Sequence, residues 1–151
     1  MYALSDTPKQ TPEEYLAFER AQTERHEYLE GDVYAMAGAS ERHNLLASAL
    51  NFHLYGQLRQ RPCAVFQSDM RVQSENAYFY PDLVVVCGEA QYADDKRDNL
   101  LNPTLIIEIL SPTTEDFDKG RKFTQYRRIS TLQDYVLVAQ SKMHIEHFSR
   151  Y

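Results

Sequence analysis

No apolar run in this chain approaches the roughly 18 residues of a membrane span, which excludes a helical membrane protein. Met1 to Gln10 lacks the basic-then-apolar pattern of a secretory leader. There is no tryptophan, against eleven tyrosines, an imbalance that excludes nothing. Cysteine is scarce: Cys63 and Cys87 stand in apolar segments without metal-ligand spacing, which excludes a thiolate metal site. Both are expected to be reduced core residues of a cytoplasmic protein. Basic residues are in deficit, and the net charge of −6 argues against a broad face for non-specific nucleic-acid binding. Repeats, low-complexity stretches and linkers are also missing. The 151 residues therefore read as one domain, 1–151. The chain stops abruptly after a strand-like segment, which leaves room for a further C-terminal piece.

What is present is unevenly placed. Glu13 to Glu30 holds six acids and two arginines, whereas Lys119 to Arg128 holds five basic residues and no acid. A local basic patch can meet a phosphate backbone while the net charge stays negative. Such a run is most often a solvated face, and Lys119, Arg121, Arg127 and Arg128 are the candidate nucleic-acid contacts.

The element pattern is mixed. Thr11-Pro12-Glu13-Glu14 is a helix start, with Thr at the N-cap, Pro at the first position and acids in the first turn. His26 to Met36 predicts a hairpin around Glu30-Gly31-Asp32. Ser40 caps the longest predicted helix, to about Arg59, on the spacing of Ala47, Leu50, Leu54 and Leu58. Cys63 to Phe66, Asp69 to Val72, Leu83 to Val86 and Thr104 to Leu110 read as strands. Gln91 to Asn102 reads as a charged loop. Thr113 and Asp116 fit a capping box for a helix to about Ile129. Tyr135 to Ala139 and His144 to Phe148 are the last strands. Together they predict an α/β fold, a mixed β-sheet flanked by helices, with an N-terminal helix and hairpin.

Two apolar strands each carry one acid, and these carry the chemistry. Asp82 opens the Leu83 to Val86 strand, and Glu108 sits in the middle of Leu105 to Leu110. Burying an unpaired carboxylate costs several kcal/mol, so such acids need a partner. Strand parity puts Glu108 on one face with Ile106 and Leu110, and Leu105, Ile107 and Ile109 on the other. If the strands are neighbours, both carboxylates can reach one hard cation such as Mg²⁺ or Mn²⁺. On the following helix Asp118, Lys122 and Tyr126 are spaced four apart and share a face. Lys122 is placed to offset phosphate charge or position an attacking water.

Several stretches resemble one family. These are Tyr28-Leu29-Glu30-Gly31-Asp32, Ala37-Gly38-Ala39-Ser40 with His43-Asn44, Ser68-Asp69-Met70-Arg71-Val72, Tyr80-Pro81-Asp82, Pro103 through Glu108 to Ser111-Pro112-Thr113, and Lys122 with Tyr126. Along nearly its whole length the chain is similar to the Uma-type restriction-endonuclease-like proteins of the PD-(D/E)XK nuclease superfamily. The resemblance implies a restriction-endonuclease-like core, with Pro81-Asp82 as the PD element and Glu108 as the second acid. It also implies a nucleic-acid substrate, DNA first, and a homodimer. The superfamily places a lysine two residues after the second acid, where this chain has Leu110. The family resembles this chain in supplying it from the next helix, at Lys122, with Lys119 as a rival on a neighbouring row.

The expected function is Mg²⁺-dependent phosphodiester hydrolysis, with Asp82 and Glu108 holding the metal and Lys122 completing the catalytic set. His43, Glu30, Asp69, Asp118 and Tyr126 are the expected site-lining residues. His43 could equally be a core histidine, and Glu30 and Asp69 could be turn acids. His144 and His147, three apart on a strand, make a poor metal pair. Two other functions stay open: a non-cleaving nucleic-acid-binding or regulatory protein on the same fold, and a carboxylate-pair glycosidase.

Overall fold

A computed structural model describes residues 3–4, 8–112 and 114–150 of the chain. Where the strand pattern suggests one sheet, there are two. The first has β1 (Ala3–Leu4), β2 (His26–Leu29), β3 (Asp32–Ala35), β5 (Arg71–Ser74), β6 (Ala77–Phe79) and β8 (Asn99–Leu100) in the order β1-β3-β2-β6-β5-β8. The second has β4 (Cys63–Gln67), β7 (Leu83–Cys87), β9 (Leu105–Leu110), β10 (Asp134–Ala139) and β11 (Ile145–Ser149) in the order β11-β10-β9-β7-β4. Both sheets are mixed: β9 runs parallel to β10 and β5 parallel to β8, among otherwise antiparallel pairs.

The helices are α1 (Pro12–Arg20), α2 (Glu41–Leu58), α3 (Glu115–Lys119) and α4 (Arg121–Tyr126). Thr11 caps α1 and Ser40 caps α2, each accepting a hydrogen bond at 3.1 Å from the third N–H onward. The hairpin turn places Glu30 and Gly31 at positive φ, the backbone that a tight two-residue connection demands. The single helix expected to run to Ile129 is instead split at Gly120, whose φ of −100° and ψ of −91° are not helical. Thr113, its expected cap, lies outside the described residues; Thr114 takes the N-cap position. The charged loop of residues 91–102 contains the short strand β8.

Strand parity sorts the core. Val84, Val86, Ile106, Leu110, Tyr135 and Leu137 face Tyr126, Ile129 and the inner residues of the first sheet. Leu83, Ile107, Ile109 and Val138 face Leu46, Ala47, Leu50 and Leu54 of α2. The second sheet is thus covered on both faces, which explains its unbroken apolar strands. A third cluster packs α1 on the hairpin through Tyr15, Tyr28, Val33 and Tyr78.

The cysteines differ from expectation. Cys63 and Cys87 are cross-strand partners of β4 and β7 and form a disulfide, and Cys87 is exposed rather than in the core. The argument for a cytoplasmic location from reduced thiols therefore falls away. No described helix is long and apolar enough to cross a membrane.

Candidate active site

β7 and β9 are antiparallel neighbours, and their register carries Asp82 to the flank of Glu108. The two acids clasp each other's strands. The Asp82 N–H donates to Glu108 Oε1 at 3.0 Å, and Asp82 Oδ2 accepts from the Ile109 N–H at 2.7 Å. Asp82 faces a cleft of about 480 Å³ that His43, Ile109, Ser111, Asp118 and Arg25 also line. Glu108 lies behind it, 2% exposed.

Lys122 reaches this point from α4 and is fully buried. Its ammonium pairs with Glu108, with Glu27 Oε2 at 3.2 Å and with Asp118 Oδ1 at 3.4 Å. The Phe79 ring lies 5.4 Å below it, and its negative face favours a cation there. The break at Gly120 does not part Asp118 from Lys122, whose side chains, four residues apart, still meet.

The electrostatics are those of an over-filled carboxylate cluster. Burial pushes the Glu108 carboxyl well above its ordinary value, against the pull of Lys122. Burial likewise raises Asp118, again opposed by Lys122. His43 Nε2 lies 2.9 Å from Asp82 Oδ1. That hydrogen bond, opposed by burial, raises the imidazole above its usual value. Three buried carboxyls share one ammonium, with Asp82 beside them. An additional cation near Asp82 and Glu108 would relieve that excess, and carboxylate oxygens suit a hard divalent ion. No group of three or more His, Cys, Asp or Glu side chains among the described residues is placed to hold a metal. Water and substrate oxygens would have to complete the shell around two acids.

Of the residues expected from sequence, Asp82, Glu108, Lys122, Asp118 and His43 come together. Tyr126 lies below them in the core, fully buried, with burial holding its hydroxyl far above its ordinary value. Glu30 does not join them: it is exposed in the hairpin turn, where its N–H bonds the Asn76 carbonyl. Asp69 is also out of the cluster, its side chain 92% exposed and 3.3 Å from Arg25. Lys119 is turned away to Glu115 at 2.8 Å and Glu146 at 3.3 Å. Arg121 donates to the Tyr34 hydroxyl, Arg127 covers Phe123 and Arg128 pairs with Glu75. None of these four basic residues lines the cleft. His144 and His147 pair separately, with Glu146 and Asp134.

The residue that sequence reasoning missed is Glu27. It is fully buried on β2, where its Oε2 accepts from the Tyr80 N–H at 2.6 Å and pairs with Lys122. A signal existed: Glu27 shares a strand face with Leu29, which is in the main core. Arg25 was also missed. It contributes a guanidinium to the cleft, where it donates to the Ser68 carbonyl.

Comparison with known proteins bears on the family and the fold. A family model, Uma2, described as "Putative restriction endonuclease", matches residues 12–151. Two uncharacterized proteins of Synechocystis sp. are each 37% identical to the chain. One alignment spans 152 residues, 99% of this chain and 86% of the relative. The other spans 150 residues, 95% and 75%. The fold matches a crystal structure from Anabaena variabilis, titled a putative nuclease belonging to DUF820, with a TM-score of 0.73. That match has 18% identity over 93% of this chain and 85% of that one.

Proposed function

The chain belongs to the Uma2 family and has a restriction-endonuclease-like fold, and from that premise we propose that it is a Mg²⁺-dependent nuclease hydrolysing phosphodiester bonds in DNA. The observation that carries the proposal is the convergence of Asp82, just before β7, with Glu108 of β9 and Lys122 of α4, Asp82 lining the cleft and the other two buried behind it. Asp82 and Glu108 would hold the ion. When bound, Mg²⁺ supplies Lewis-acid charge for the scissile phosphate and lowers the pKa of a water nucleophile.

The chain's own residues do the rest. Lys122 fixes the Glu108 carboxylate and lends positive potential to the site, where developing charge on phosphate needs it. Glu27 and Asp118 hold the Lys122 ammonium in place. His43 anchors Asp82 Oδ1, the oxygen that the Ile109 N–H does not hold. Arg25 offers the cleft a cation for the substrate backbone. Because the lysine comes from a helix rather than the acid strand, its flexible stem has to be held by partners, and the three carboxylates do that.

One observation favours a second reading. The Lys122 ammonium is fully enclosed, so the site could be an ion-paired relic on a protein that binds nucleic acid without cutting it. Incubation of supercoiled plasmid with Mg²⁺, with EDTA and with Glu108→Ala separates the two. The proposal expects nicking by wild type with Mg²⁺ alone. Salt-sensitive DNA binding that is indifferent to Mg²⁺, without nicking, supports the second reading.

A further inference from the structure

Helix α2 carries a second apolar stripe that none of the described residues covers. Its inner face packs on the second sheet through Leu46, Ala47, Leu50 and Leu54. On the opposite side Leu45, Phe52 and Tyr55 are 64%, 73% and 60% exposed. With Glu41, Ser48 and Arg59 they alternate in steps of four and three, the spacing of a helix–helix seam. All six are exposed and fall within one narrow arc of the helix.

The stripe is complementary to itself when reversed. Its midpoint is residue 50. Turned about that point, Glu41 meets Arg59, Leu45 meets Tyr55, and Ser48 meets Phe52. Acid faces base, apolar faces apolar, and a small side chain faces a large ring. Gly56, beside the seam, is exposed, and a Cβ added there would meet nothing within 4 Å. A two-fold contact requires this kind of reciprocity, in which residue i meets j and j meets i. A partner of different sequence would not require the charges at the two ends to be opposite.

We propose that the outer face of α2 is a homodimer interface, two copies packing antiparallel through Leu45, Ser48, Phe52 and Tyr55, with Glu41 and Arg59 pairing at both ends. The arrangement sets the two active sites at opposite ends of the seam. His43 stands seven residues from the midpoint, so the two copies of it lie about 20 Å apart along the helix axis. The inference concerns assembly and rests on no step of the proposed chemistry; of the six seam residues Ser48 also lines the cleft.

Sedimentation equilibrium on the full chain tests it. Wild type is expected to be a dimer, and Phe52→Glu with Tyr55→Glu is expected to raise the dissociation constant by at least about 100-fold. Because both positions are exposed, the circular dichroism spectrum should be unchanged. Glu41→Arg should weaken the dimer, Arg59→Glu should do the same, and the double swap should restore it. A monomeric wild type, a dimer indifferent to Phe52 and Tyr55, or a double swap as weak as its parents would overturn the proposal. A monomer that still cleaves DNA would overturn this inference and leave the nuclease reading intact.

Discussion

Glu27 of β2 and Lys122 of α4 meet carboxylate to ammonium at 3.2 Å, with both side chains fully buried. The hairpin strand β2 is thereby fastened to the active-site lysine. Replacing Glu27 by Gln keeps an acceptor for the Tyr80 N–H but removes the charge that holds Lys122. The expected result is a loss of DNA cleavage on the order of 10- to 100-fold, typical of a residue that orients the catalytic set. Single-turnover rates on plasmid measure it, and a rate equal to wild type would remove Glu27 from the site.

His43 gives a second prediction. Its Nε2 sits on Asp82 Oδ1, and its ring lines the cleft. His43→Ala should free that carboxylate to swing and lower cleavage by about 10-fold or more, again as an orienting residue. A titration of cleavage against Mg²⁺ concentration would show the optimum moved to higher metal. An unchanged optimum and rate would make His43 a packing residue only.

Much of this site was legible in the sequence because a buried strand advertises its acids. Glu108 stood out among Ile106, Ile107, Ile109 and Leu110, and parity assigned its face correctly. Asp82 was marked by the apolar run behind it, and the spacing of four found Asp118 with Lys122. Other features were not legible. β6 and β8 have three and two residues, too short to show a period, so the division into two sheets was hidden. Glu27 sits in a stretch of six acids in which nothing singles it out. Glu30, three positions later, lies in a stretch that carries the family resemblance, yet it serves the turn. The Cys63–Cys87 pairing depends on the register between β4 and β7, which neither strand declares alone.

The disulfide closes a segment with sequence separation 24. Constraining a loop of that size in the unfolded chain is worth about 3 kcal/mol. Cys63→Ser should therefore lower the urea midpoint, and dithiothreitol should lower wild type to match it. Identical midpoints for oxidised and reduced wild type would show that the bond adds no stability.

Asp98 should make stability depend on acid. Its carboxylate takes both guanidinium arms of Arg20, at 2.8 and 2.9 Å, and one arm of Arg71 at 2.7 Å. The Arg20 hydrogen bond, opposed by burial and helped by both positive charges, holds Asp98 below the usual aspartate range. A carboxyl depressed on folding stabilises the protein above its unfolded pKa, and that contribution is lost as pH falls through the folded value. Asp98→Asn should thus be less stable than wild type from neutral pH down to about pH 5, with the gap closing below about pH 4. Denaturant melts at stepped pH measure it. A gap that stays constant into strong acid would rule out the linkage.

The central claim is that the lysine delivered by α4 completes the site begun by Asp82 and Glu108. The most direct measurement compares Mg²⁺-dependent plasmid cleavage by Lys122→Met and Lys119→Met, with folding verified by circular dichroism. Lys119 is taken up by Glu115 and Glu146, so its loss should leave cleavage close to wild type. Loss of Lys122 should lower cleavage by about 100-fold or more, the scale of a group that stabilises transition-state charge. Full activity in a folded Lys122→Met protein, or a loss confined to Lys119→Met, would contradict the account.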